Sequence, residues 1–471
     1  MIVAELRIPD GPALILCGTG PAPAEVVARG PRASTSASAV SSREGWNAVV
    51  PLQASRWAGP LLPLPVDDYA LTVDGEAADI APVPLTMLGP IRAEVSGSTL
   101  RVGPPVDPAY DSGEGQAALE RRYATRPDGL ENAAFFESRL GHVAGGDPRA
   151  IDGELARRAP AVTRYWSVVD LSVAVPDGAV AVVEGSPQWW RARGAARLLV
   201  VDDWLRRRFV RSPGQVVLQT WHGSPPRRLG LRLPGWNARR AAAVVRESLR
   251  WNVLLAQSPY AAQSLSRGYA FNRAVWIEGG PRNDVLVTAG PGDDARAALG
   301  IGTAEQVLLH AVLDPERAAQ VDAAELARRT GALVVRVGVH RDHAAGETGP
   351  RVIDATDYPD PARLLLAADA LVTDRSPLMF DFSVTGKPMY FVESAAGAAA
   401  PDRPFVVDLA ARAPGPLVST LVELVEAIAE HDPAAHAERY AQWRAVFNGR
   451  DDGHAAERVV ARILDQGFVD A

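Results

Sequence analysis

The feature that most constrains this chain is a change of pattern near residue 130. From there on, short apolar runs alternate with helical segments, the signature of βαβ units feeding a parallel sheet. Ala179 to Glu184, Ala196 to Val201, Gln215 to Gln219 and Asn252 to Ala256 read as buried strands, with helices over Asn237 to Trp251 and Pro259 to Tyr269. A second series follows, with strands at Val307 to Val312, Ala332 to Val339, Val352 to Ala355, Ala370 to Thr373 and Pro388 to Val392. Helices over Asp322 to Arg329, Pro361 to Ala367 and Ser376 to Thr385 lie between them, and residues 417 to 466 end in helices. Two such series, joined around Gly279 to Val285, predict an α/β fold of two doubly wound Rossmann-like domains with ligands at the carboxyl ends of the strands. Before residue 125, short extended stretches such as Ala13 to Cys17, Asn47 to Leu52 and Tyr69 to Val73 are punctuated by Pro, Gly and Ser and predict a small β-rich unit. The Pro- and Gly-containing stretch 103–118 reads as a linker. The expected domains are therefore 1–120 (β-rich accessory), 130–285 (acceptor side) and 286–471 (donor nucleotide, with the terminal helices).

Composition narrows the function. A net charge of −7 in 471 residues gives no overall positive field for a polyanion, so no nucleic-acid partner is expected. Hydrophobic content of 47% with 22% charged residues is that of ordinary globular protein. The single cysteine, Cys17, excludes internal disulfides and multi-thiolate metal sites and suits a reducing compartment. Residues 1–10 lack the basic and apolar segments of a signal peptide, and no long apolar run reads as a spanning helix, so a cytoplasmic location is expected.

Several local patterns can carry chemistry. Gln219 to Pro225 (QTWHGSP) follows an apolar strand directly and places His222 at a strand's carboxyl end, where an imidazole can take a proton. Gly223 permits close approach there, and Ser224 offers a hydroxyl and an amide. The alternative is a structural histidine in a tight turn. His340 ends a later strand-like run and places a second imidazole at the corresponding edge of the second domain. His340 and His343 stand three apart, but no third ligand is near them, so no metal is expected. In Ala370 to Phe382 (ALVTDRSPLMFDF) a strand runs into a helix with Ser376 as N-cap and Pro377 at its first position. Backbone amides there, with Thr373 and Ser376, can hold a phosphate, and Asp374 can take a hydroxyl or a cation. Ser-Pro also caps helices that bind nothing, and Asp381 also reads as an ordinary helix residue. Arg282, in EGGPRND, reads either as a phosphate fork or as a surface arginine in a turn. A cationic cluster of Arg206, Arg207, Arg208, Arg211, Arg227, Arg228, Arg232, Arg239 and Arg240 surrounds the His222 segment, with Trp204 and Trp236 nearby. It reads as a solvated face, or as a contact with anionic lipid head groups or a polyphosphate chain.

Taken in order, QTWHGSP, SPY before AFN, EGGPRNDVL, a strand ending in His340, LLLAADALVTDRSPLMFDF and GKP resemble the CDP-glycerol glycerophosphotransferases of teichoic acid synthesis over roughly residues 130 to 450. The resemblance implies a GT-B-like pair of domains. It also implies transfer of a polyol phosphate from CDP-glycerol or another CDP-polyol to a lipid-linked acceptor, with release of CMP and no cofactor, by an enzyme peripheral to the inner face of the membrane. It implies His222 and His340 as the catalytic pair. Gly223, Ser224, Arg282, Thr373, Asp374, Arg375, Ser376 and Asp381 are the residues expected at the donor. This chain departs from the family's Asp-Tyr-Ser-Ser motif at Arg375 and Pro377, and the region Leu309 to Asp314 lacks the arginine the family carries there. The rival expectations are a GT-B-type glycosyltransferase using a sugar nucleotide and a non-catalytic, acceptor-binding member of the family.

Overall fold

The computed structural model describes residues 2–8, 10–43, 45–124, 129–207, 209–290, 293–338, 349–393 and 404–471. The chain packs as two compact units: residues 1–131, 139–144 and 163–196 form one, and 132–138, 145–162 and 197–471 the other.

In the first unit, alternating apolar residues build two antiparallel sheets whose inner faces share one core. The strand Gly45–Pro51 buries Trp46, Ala48 and Val50 and exposes the residues between them, the period-two pattern of a strand with one wet face. It pairs with Ala13–Gly18, and Leu14 and Leu16 join Val26, Tyr69, Leu71, Leu100 and Val102 inside. The stretch expected as a linker contains a helix, Gly113–Ala124. The Ser112 hydroxyl accepts from Gly115 N (3.0 Å), which caps its first turn, and Gln116 Oε1 accepts from the Trp190 indole (2.9 Å).

The second unit is mixed α/β with parallel strands. In one sheet Glu131–Glu137, Ala196–Val201, Val216–Gln219, Val253–Ala256 and Ala274–Ile277 lie side by side, the last four in parallel register. The other sheet runs Val352–Asp354, Leu333–Arg336, Val307–Ala311, Ala370–Thr373, Met389–Val392, Leu417–Val418, all parallel. Both sheets are central and apolar: Val253–Ala256, Ala370–Thr373 and Met389–Val392 are buried at every position. Helices begin where their caps dictate. Asn237 accepts from Arg240 N to open Ala238–Ser248, and Ser258 from Ala261 N, with Pro259 at the first position, to open Pro259–Tyr269. No helix among the described residues is long and apolar enough to cross a membrane.

Candidate active site

The carboxyl ends of three parallel strands meet at one cavity. Its lining comes from the turn after Val216–Gln219 (Trp221 to Arg227, and Leu229), the turn after Val307–Ala311 (Leu313 to Pro315) and the turn after Ala370–Thr373 (Asp374, Arg375 and Pro377). Its volume is about 360 Å³, within the range of small-ligand sites.

His222 reaches this cavity through an unusual backbone. Trp221 has φ +55°, a left-handed conformation that is costly for a bulky residue and persists only where the surroundings over-determine it. Three contacts do so. Trp221 N donates to Gln219 Oε1 (2.9 Å), Thr220 N donates to Val201 O (2.8 Å), and the Trp221 ring packs edge-on against Tyr269 with centroids 5.0 Å apart. The next ring, His222, lies tilted against Trp221 and is 44% exposed, with Nε2 3.8 Å from Asp203 Oδ2. Of the paired acids at the end of Ala196–Val201, Asp202 takes the Ser138 hydroxyl (2.7 Å) while Asp203 faces His222.

Gly223 and Ser224 complete this wall. Gly223 has φ +100°, and a Cβ there would lie 2.0 Å from Arg282 Nη2, so only glycine lets the turn sit on that guanidinium. Arg282 is not a surface residue. Its Nε and Nη2 form a fork on Asp381 (3.1 and 2.7 Å) and its Nη1 donates to Asp147 (2.7 Å), which also accepts from Arg282 N (2.9 Å). Burial opposes the Arg282 charge, but the two carboxylates outweigh it and hold its pKa above the usual value. For Asp147 burial wins over Arg282 and pushes the carboxyl up to about 6. Gln257 extends the network: it accepts from the buried Ser224 hydroxyl (3.0 Å) and donates to Asp451 (3.0 Å). The donors of Arg282 are thus engaged by protein carboxylates, and Arg282 with Asp381 forms the support beneath the His222 turn.

The opposite wall is the Thr373 to Pro377 corner. Asp374 is 2% exposed; its Oδ2 accepts from Asp314 N (2.9 Å), whereas the buried Oδ1 has no hydrogen-bond partner among the described residues. Burial raises its pKa against the pull of the Asp314 and Leu313 amides. Thr373 is fully buried and its hydroxyl donates to Ala311 O (3.0 Å), so it ties two strands together. The Ser376 hydroxyl accepts from Leu378 N (3.3 Å); the helix starts at Leu378, one residue later than expected, and runs only to Phe382 before a 3₁₀ turn. Arg375 lines the cavity, but its Nε and Nη2 pair with Glu393 (2.8 and 2.9 Å). The Phe405 ring lies between two guanidiniums, Arg227 at 4.1 Å and Arg375 at 4.3 Å. The segment carrying it pairs with the His222 wall through Arg228 N to Pro404 O and Val406 N to Pro226 O, both 2.9 Å.

Of the residues singled out by sequence, the cavity therefore brings together His222, Gly223, Ser224, Arg227, Asp374, Arg375 and Pro377. Arg282, Asp381, Thr373 and Ser376 stand behind its walls. His340 and His343 lie outside the described residues, as does Arg208. Among the described residues no group of three or more His, Cys, Asp or Glu side chains is placed to hold a metal. Several arginines of the cationic cluster are engaged locally: Arg211 donates to Asn252 (2.6 Å) and Arg240 to backbone carbonyls of the preceding turn. Sequence reasoning missed Asp203, Glu393 and Phe405. Asp203 was findable by the rule that selected His222, since it too leaves the carboxyl end of a buried strand.

A family model described as CDP-Glycerol:Poly(glycerophosphate) glycerophosphotransferase matches residues 121–465. The chain is 28% identical over 382 residues to the teichoic acid glycerol-phosphate transferase of Staphylococcus aureus, covering 71% of this chain and 93% of that protein. It is 29% identical over 332 residues to the teichoic acid poly(glycerol phosphate) polymerase of Bacillus subtilis, covering 65% of this chain and 44% of that one. Among solved structures, the wall teichoic acid polymerase TagF shares the fold, with a TM-score of 0.68 at 21% identity over 75% of this chain and 94% of that chain.

Proposed function

Because the chain belongs to the CDP-glycerol:poly(glycerophosphate) glycerophosphotransferase family, we propose that it moves glycerol phosphate, or a similar polyol phosphate, from a CDP-linked donor to a hydroxyl of a lipid-linked acceptor. The product is a teichoic acid or a related cell-wall polymer. The observation that carries this reading is the half-exposed His222, presented by a strained turn into a cavity whose far wall is the Asp374 to Pro377 corner. His222 accepts the proton of the acceptor hydroxyl. The acceptor oxygen bonds to the phosphorus of the polyol phosphate as the bond from that phosphorus to the CMP oxygen breaks, and the electron pair leaves with CMP. Such transfer depends on positioning and charge stabilisation rather than on covalent chemistry by the protein.

Asp374 Oδ1 accepts a hydrogen bond from a donor hydroxyl or amino group, and Arg227 with Arg375 offers positive charge to the phosphates at the rim. Gly223 and Ser224 give the donor a close approach to the backbone. Thr373, Ser376, Arg282 and Asp381 keep the two corners in register. His340, the second histidine of the pair that the resemblance implies, stabilises charge on the departing CMP. The two parallel sheets act as the acceptor and donor halves of a GT-B-like arrangement, 130–285 and 286–471, with 1–120 as an accessory domain. The test is CMP release from CDP-glycerol that requires both acceptor and His222; nucleotide release from a UDP-sugar instead would favour the glycosyltransferase, and acceptor binding without donor affinity the non-catalytic member.

The acceptor's lipid calls for a membrane-facing surface, and the strongest argument for one is the turn before Ala238–Ser248. Trp236 is 84% exposed there, with Leu249 and Val245 also exposed and Arg239 and Arg246 on the same helix. Anionic lipid attracts each such arginine by about 1 kcal/mol near the surface, an effect that salt screens. We expect co-sedimentation with phosphatidylglycerol vesicles that weakens at high salt and in Trp236→Ala; equal binding to neutral vesicles would contradict it.

A further inference from the structure

We infer that Asp203 is the positioning residue for His222, fixing its ring and favouring its charged form; the inference deepens the reading of His222 as the proton acceptor and rests on it. Asp203 Oδ2 stands 3.8 Å from His222 Nε2, an ion-pair distance, with both side chains partly exposed. The carboxylate is itself held. Its Oδ1 accepts from Trp204 N (2.6 Å), and its backbone carbonyl accepts from Gln219 Nε2 (3.0 Å). The other end of the same Gln219 amide accepts from Trp221 N (2.9 Å). One fully buried glutamine thus ties the turn carrying the carboxylate to the turn carrying the imidazole.

Among the described residues, the charged or titratable groups near this pair include Arg227, Asp314, Asp374 and Arg375 at the cavity, Arg282 beneath the His222 turn, Asp202 beside Asp203, and Tyr269 behind Trp221 with Glu247 near it. Tyr269 accepts from the Trp204 indole (3.1 Å), and Glu247 accepts from Leu205 N (2.9 Å). Asp203 Oδ2 stands at ion-pair distance from Nε2. A carboxylate there orients the Nε2 edge of the ring while His222 takes the acceptor's proton. It then faces the imidazolium that results, as an opposite charge within 4–6 Å favours the charged form.

The test uses the full chain with ¹³C-labelled histidine, the His222 resonance being identified by its loss in His222→Gln. In Asp203→Asn the His222 titration midpoint is expected to fall by about one unit, and Asp203→Glu to retain most of the wild-type value. CMP release at saturating substrate is expected to fall about tenfold in Asp203→Asn with KM unchanged. An unmoved His222 midpoint in folded Asp203→Asn overturns the inference. If the midpoint moves while His222→Ala and wild type release CMP at equal rates, the pairing stands and the reading of the reaction falls instead.

Discussion

Replacing His222 with alanine is expected to lower CMP release from CDP-glycerol by about 10²- to 10⁴-fold, the range of a lost general base, while leaving the affinity for CDP-glycerol near that of wild type. The two halves of this expectation come from geometry. The imidazole is placed by backbone contacts on its neighbours, Thr220 and Trp221, so truncating it removes a proton acceptor without releasing the turn. Of the groups offered to the nucleotide and its phosphates, Asp374 and Arg375 belong to the opposite wall, and Arg227 stands five residues beyond His222. An acceptor hydroxyl without a base must lose its proton to water in the transition state, which is why the loss falls on kcat. Substrate-saturated rates within threefold of wild type would remove His222 from the chemistry.

Arg282→Ala is expected to lower unfolding free energy by about 3–5 kcal/mol, because removing one partner strands buried charges. Asp147 and Asp381 face that guanidinium with side chains 4% and 10% exposed, and Asp451 lies in the same network. The size of the effect comes from the uncompensated carboxylates more than from the lost contacts. Removing the charges together, in Arg282→Met with Asp147→Asn and Asp381→Asn, is therefore expected to recover most of the stability. Urea unfolding of the single and triple variants measures this. A single variant as stable as wild type would mean that the cluster does not support the His222 turn as described.

The elements that could be read in the sequence are those whose own residues dictate them. Ala196–Val201 carries the apolar run Leu198 to Val201, Ala370–Thr373 is apolar up to its closing threonine, and Pro259–Tyr269 carries its Ser-Pro start. The helix Gly113–Ala124 escaped because its glycines, glutamate and weak apolar stripe look like a linker, and its stabilising partner, Trp190, lies far along the chain. The His222 turn and the Asp374 corner were legible because each follows a buried strand directly. The role of Arg282 was not. Its carboxylates lie 135 and 99 residues away in sequence, and nothing in EGGPRND distinguishes an arginine that meets phosphate from one already held by protein. The place of Arg375 in the cavity wall could be read from the strand before it, but its pairing with Glu393 is created only by folding.

The position of the donor is decisive, and a crystal structure of His222→Ala with CDP-glycerol shows it directly. The expected result is a nucleotide hydrogen-bonded to Asp374 Oδ1, its phosphates beside Arg227 and Arg375, and the polyol phosphate facing the space left at residue 222. A donor bound with its phosphates away from both the His222 turn and the Asp374 corner would contradict it.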